Sequence, residues 1–195
     1  MNSSKPDRSI SLVVADRERR LWLCALAAVV AIYSTLGLAG RLVQMLPARE
    51  QLDAAYILAF ALAIAAVVAG TLFKHSRWRE IWVTLCLIVA YGMVGVRMGI
   101  GPEERTHLFE YGLVAFLIHQ AFSEGARKGR RVPVPALLAI VSTALLGWID
   151  EGIQALLPNR VYDVRDVGVN ALAALMAVVA STTLAWLRSS NRIHK

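Results

Sequence analysis

PVPALLAIVSTALLGWIDEGIQALLPNRVYDVRDVGVNALAALMAVVASTTLAWL, residues 133–187, decides how the rest of the chain is read. Two long apolar runs flank a polar centre, residues 148–170, which holds Asp150, Glu151, Gln154, Arg160, Asp163, Arg165, Asp166 and Asn170. Each run is long enough to cross a hydrocarbon core of roughly 30 Å at a rise of ~1.5 Å per residue. A polar cluster between two such runs carries a solvation cost wherever it lies below the lipid headgroups, so it calls for a structural or a functional reason. Pro158 reads as the stop of one helix and Asp163 as the cap of the next, with Asp166 supporting its first turn.

Outward from this stretch the same pattern repeats. Uncharged runs cover Leu21–Gly40 and Ala54–Phe73, and a third candidate covers Glu80–Ile100. Arg97, near the end of the third, can snorkel to the interface. The fourth, Pro102–Phe122, opens with Glu103, Glu104, Arg105, His107 and Glu110, so its hydropathy is weaker; Pro102 suits a first helical position and acidic groups suit a helix N-terminus. Residues 133–157 and 163–187 are the fifth and sixth. The expectation is an all-α polytopic membrane bundle of six transmembrane helices. A signal peptide at residues 21–40 is the rival reading, but that run exceeds the apolar segment of about 7–15 residues such peptides carry.

Charge in the connections tests the count. Lys and Arg number five in residues 1–20, three in 74–79, four in 127–131 and three after Leu187, against two in each of the alternate connections 41–49, 97–105 and 160–165. The positive-inside rule then puts both termini in the cytoplasm, and the bias depends on all six spans. Residues 1–20 read as a loose cytoplasmic tail ending in a basic patch.

Composition agrees. Of 195 residues 57% are hydrophobic, and a mean hydropathy of +0.53 is too high for an ordinary soluble domain. The net charge of +7 is scattered through short connections rather than gathered on one face with aromatic platforms, which argues against nucleic acid and for anionic lipid headgroups. Cys24 and Cys86 each lie inside an apolar run, where packing accounts for them better than a disulfide or a metal. No cofactor and no metal is expected from the sequence, and nothing in it fixes the oligomeric state.

With six spans, the acidic start of the fourth helix and the 148–170 stretch share the outer side of the membrane. His107, Glu110 and Tyr111 share a face with Glu103; Gly147, Asp150, Glu151 and Gln154 share another; Asp163, Asp166 and Asn170 share a third that continues as Ala174, Ala177 and Ser181. Small residues there let helices approach closely. Glu110 lies eight residues past Pro102, Asp150 seven before Leu157 and Asn170 seven past Asp163. At ~1.5 Å per residue each is roughly 10–12 Å inside its helix end, so a convergent, outward-opening pocket is expected. Arg160 and Arg165 also read as interfacial anchors, and Arg97 as a counter-charge for Glu103 or Glu110. His119, nearer the cytoplasm, is placed outside the site.

The pattern His107-x-x-Glu110-Tyr111, then Asp150-Glu151-x-x-Gln154-x-x-x-Pro158-x-Arg160, then Asp163-x-x-Asp166-x-x-x-Asn170 resembles the VanZ-like family of bacterial membrane proteins. The resemblance covers roughly residues 80–187 and leaves residues 21–79 as two additional transmembrane helices, with tails at 1–20 and 188–195. It implies a multi-pass protein of the bacterial cell (inner) membrane, related to the envelope and to teicoplanin sensitivity, whose characteristic polar positions are His107, Tyr111, Asp150, Glu151, Gln154, Arg160, Asp166 and Asn170. It supplies no reaction. Glu103-Glu104 stands where family members often carry Asp-Lys, which weakens any shared chemistry toward an anionic ligand unless Arg97 or Arg105 provides the charge. Ala173 stands where a glycine is common.

Three functions follow as expectations. The first is binding or remodelling of an outer-leaflet ligand, a lipid-linked envelope precursor or a glycopeptide, with Arg97, Arg160 and Arg165 holding anionic groups. The second is an enzyme on a lipid substrate, with Asp150 or Glu151 as base and His107 as proton partner, or a variant in which carboxylates hold Mg²⁺. The third is a proton- or cation-coupled transporter.

Overall fold

The computed structural model describes residues 8–45, 85–86, 88–94, 102–157 and 162–193, and among these no strand occurs. Four long helices make up the described chain: α1 (Arg8–Met45), α2 (Pro102–Arg127), α3 (Pro135–Gln154) and α4 (Val164–Ile193). Residues 88–94 form a further short helical piece. Among the described residues three segments are long and apolar enough to cross a membrane: Arg17–Leu36 in α1, Pro135–Gln154 in α3 and Val164–Leu187 in α4. The second expected span, most of the third, and Arg97, Pro158 and Arg160 lie outside the described residues.

α2, expected as a span, is not among the three, because its polar residues interrupt the apolar run. It is instead the helix that packs against α1, α3 and α4 at once. Its polarity points inward: His107, His119 and Glu124 are buried, whereas Phe109, Leu113 and Phe116 form an exposed stripe at i, i+4 and i+7.

α3 shows the same inversion. Its buried residues are Ala139, Thr143, Gly147, Asp150, Glu151 and Gln154, while Leu137, Val141, Leu145 and Trp148 are exposed. In a water-soluble bundle the apolar stripe faces the core. Here the polar stripe does, and Leu175, Val179 and Trp186 on α4 and Leu23, Leu26 and Val30 on α1 extend the exposed apolar surface. Such a surface fits hydrocarbon better than water, which points to a membrane protein.

Close helix contact rests on small residues. Ala139, Ala173, Ala174 and Ala177 lie in the core with Leu108, Val114 and Ile118. At Gly147 an added Cβ would sit 2.6 Å from the Asn170 Cβ, so only glycine lets α3 and α4 meet there. Two tyrosines tie further elements in: the Tyr33 hydroxyl donates to the Leu146 carbonyl at 2.8 Å, and the Tyr91 hydroxyl to the Ala173 carbonyl at 2.8 Å.

Two expectations need correction. The N-terminal segment is not a loose tail up to residue 20, because α1 starts at Arg8 and runs for 38 residues. Within it Glu18 is buried, with Lys128 Nζ 2.6 Å and Arg130 Nη1 2.7 Å from its carboxylate, and those ion pairs fix the start of the apolar segment to the α2–α3 connection. Cys24 and Cys86 are free and exposed rather than packed inside.

Candidate functional site

The elements place buried polar side chains in three layers along α2. The first lies at its N-terminal end, where α3 ends and α4 begins. His107 Nδ1 is 3.5 Å from Asp150 Oδ2 and 3.8 Å from Glu110 Oε2. Gln154, one turn beyond Asp150, donates from Nε2 to Glu151 Oε1 at 3.1 Å and lies 3.5 Å from Asp150 Oδ2. The Asp163 backbone N–H donates to Glu151 Oε2 at 3.3 Å, so the carboxylate of Glu151 is held from both sides. Asp163 in turn caps α4, its Oδ1 accepting from Arg165 N at 2.8 Å.

Aromatic and amide groups close this layer. The Tyr111 ring stacks on His107 with centroids 6.0 Å apart and planes at 28°, and its hydroxyl is an electrostatic neighbour of the Asp150 carboxylate. Tyr111, Thr143, Asp150, Glu151 and Asn170 are all fully buried. Among the described residues the Thr143 hydroxyl and both polar atoms of the Asn170 carboxamide have no hydrogen-bond partner, whereas the Tyr111 hydroxyl has the Asp150 carboxylate as its neighbour. Leaving a polar group buried and unpaired costs about 1–3 kcal/mol, so the Thr143 hydroxyl and the Asn170 carboxamide are the costly groups of this layer.

Of the residues singled out in the sequence, His107, Tyr111, Asp150, Glu151, Gln154 and Asn170 are buried and come together. Glu110 is half-buried at the edge, reached through His107. Asp166 is half-buried in the first turn of α4, within electrostatic reach of Glu151. Arg97 and Arg160 lie outside the described residues. Thr143 is an addition: it lies four residues before Gly147 on the same face of α3, a spacing that could have included it.

The second layer was not foreseen. His119 Nδ1 lies 3.0 Å from Ser181 Oγ, Gln120 Nε2 donates to the same oxygen at 2.9 Å, and Ser123 Oγ is 3.5 Å from His119 Nε2. His119 is twelve residues from His107 in the sequence, roughly 18 Å along the helix, so it belongs to a separate group. The third layer holds Glu18 and Glu124, both buried, with Lys128, Arg130, Arg127 and Arg17 around them.

Chemically the first layer gathers two buried carboxylates, an imidazole, a phenol and two amides between helices. One ligand atom from each of His107, Asp150 and Glu151 lies within 4.8 Å of the other two. It can bind a polar headgroup, hold a cation or exchange a proton between His107 and Asp150. Compared with protein-family models, curated proteins and solved structures, the chain matches none, so the site is interpreted from its own chemistry.

Proposed function

We propose that the chain is a multi-pass protein of the bacterial cell membrane, with six spans and both termini cytoplasmic, that binds or remodels an outer-leaflet ligand at its first polar layer. The ligand is the polar part of a lipid-linked envelope precursor or of a glycopeptide. The observation that carries this reading is the pair of fully buried, unpartnered polar side chains, Asn170 and Thr143, at the end of the bundle that also holds Tyr111, His107, Asp150 and Glu151. The distribution of Lys and Arg among the connections supports an outward position for that end. The VanZ-like spacing of His107, Tyr111, Asp150, Glu151, Gln154, Asp166 and Asn170 supports an envelope role affecting teicoplanin sensitivity.

In this reading the exposed apolar faces hold membrane lipid while a headgroup enters between α2, α3 and the start of α4. Asn170 and Tyr111 donate to and accept from its polar atoms, and Arg160 and Arg97 hold its anionic groups. Mass spectrometry of the protein purified in mild detergent tests it. A phospholipid or polyprenyl species should be retained by the wild type and lost in Asn170→Ala and Arg160→Ala. Retention of no lipid, with no thermal stabilisation by any envelope precursor, overturns it. Teicoplanin sensitivity of a susceptible host expressing wild type or Asp150→Asn gives the cellular counterpart.

The approach of His107 to Asp150 favours a second reading, a membrane-embedded enzyme acting on a lipid. Asp150 or Glu151 takes a proton from a nucleophile and His107 relays it. This reading requires Asp150→Asn and Glu151→Gln to abolish the phenotype while folding normally; an unchanged phenotype in both removes it.

A further inference from the structure

We propose that His107, Asp150 and Glu151 form a binding site for a divalent transition-metal ion of the Zn²⁺ or Mn²⁺ class. The three residues come from two helices, and one ligand atom from each lies within 4.8 Å of the other two. All three are buried, Asp150 and Glu151 completely.

The spacing of the ligand atoms is compatible with an ion between them. His107 Nδ1 and Asp150 Oδ2 are 3.5 Å apart. That is long for a charge-assisted hydrogen bond of about 2.7–2.9 Å. For this one pair it matches the edge of a tetrahedron whose metal–ligand bonds are about 2.0–2.2 Å, which is roughly 3.3–3.6 Å, while the three ligand atoms together span up to 4.8 Å, so that ion binding draws Glu151 or its partners inward. The donor types narrow the ion. Ca²⁺ and Mg²⁺ prefer oxygen-only shells with more ligands, whereas one imidazole nitrogen with two carboxylates is a set that Zn²⁺ accepts as three protein ligands plus water.

The surroundings have the features of an outer shell. Gln154 Nε2 and the Asp163 backbone N–H each donate to one oxygen of Glu151, fixing the carboxylate as metal sites do. An independent observation comes from groups that are not ligands. Asn170 is fully buried against Gly147, one turn before Asp150 and Glu151, and neither its Nδ2 nor its Oδ1 has a partner. The Tyr111 hydroxyl, also fully buried, faces the Asp150 carboxylate as an outer-shell group does. In this proposal a water on the ion's open position is the partner of the Asn170 carboxamide. The inference goes beyond headgroup binding and does not depend on it, although an ion there also supplies the positive charge that a phosphate-bearing headgroup needs.

The test uses the full chain in detergent, stripped with a chelator and then titrated with ZnCl₂, MnCl₂ or MgCl₂ while thermal unfolding and bound metal are followed. Zn²⁺ or Mn²⁺ should raise the melting temperature of the stripped wild type and bind one ion per chain, with Mg²⁺ ineffective. Asp150→Asn and Glu151→Gln should lose the shift, and Gln154→Ala should weaken affinity about 10–100-fold. No stabilisation of the stripped wild type by either ion overturns the proposal without reliance on any variant, as does a shift that persists in Asp150→Asn. Metal without retained lipid leaves the ion site standing and removes the headgroup reading, and lipid without metal does the reverse.

Discussion

Gly147 is the residue on which the geometry of the first layer turns. Any side chain there meets Asn170, with the Cβ atoms only 2.6 Å apart, and both partners are anchored in helix backbone. Gly147→Ala should therefore push α3 from α4 and destabilise the fold by about 1–3 kcal/mol, read as a lower melting temperature in detergent. Asn170→Gly in the same chain removes the opposing Cβ and should restore part of the loss; no restoration would place the strain elsewhere. The sequence made much of this layer legible, because Gly147, Asp150, Glu151 and Gln154 at i, i+3, i+4 and i+7 share a helix face whatever packs against it. What it could not show was which groups end up without partners. Thr143 and Asn170 have ordinary hydrogen-bonding side chains, and only the packing of α2, α3 and α4 removes the atoms that would have satisfied them.

At the scale of elements, the existence of the four long described helices was readable and their extent was not. α2 begins at Pro102 as expected, and α3 and α4 fall within the two apolar runs that flank residues 148–170, α4 continuing to Ile193. α1 departs from expectation because the partners of Glu18 are 110 and 112 residues away, beyond any local pattern. The buried carboxylate sits against Gly125, whose added Cβ would come within 3.3 Å of Glu18 Oε1. Glu18→Gln keeps the size of the side chain and removes its charge, leaving Lys128 and Arg130 facing a neutral amide. Arg130 is largely exposed and Lys128 partly so, which screens the pair, and the loss should be about 1–2 kcal/mol rather than the larger cost of a fully buried pair. Thermal unfolding at low and high salt checks it: the gap between wild type and Glu18→Gln should narrow as salt rises.

For the whole molecule, the three layers make orientation a measurable quantity. Glu124 is seventeen residues beyond His107 on α2, so the outer charged layers are roughly 25 Å apart along the helix, close to the thickness of a bilayer's hydrocarbon core. Charged layers at that spacing fit one interface each, with the His119–Ser181 group between them and the exposed apolar stripes of α1, α3 and α4 facing lipid. In the topology we propose, the cluster of Lys128, Arg130 and Arg131 is cytoplasmic by the positive-inside rule and the α3–α4 connection faces outward. Leu156 is the exposed reporter of that connection and Arg131 of the other. In a background of Cys24→Ser and Cys86→Ser, Leu156→Cys on spheroplasts should react with a membrane-impermeant maleimide, while Arg131→Cys should react only after the membrane is opened. The opposite pattern would turn the bundle over, put Asp150 and its neighbours at the cytoplasmic face, and make an outer-leaflet ligand untenable even with the ion site intact.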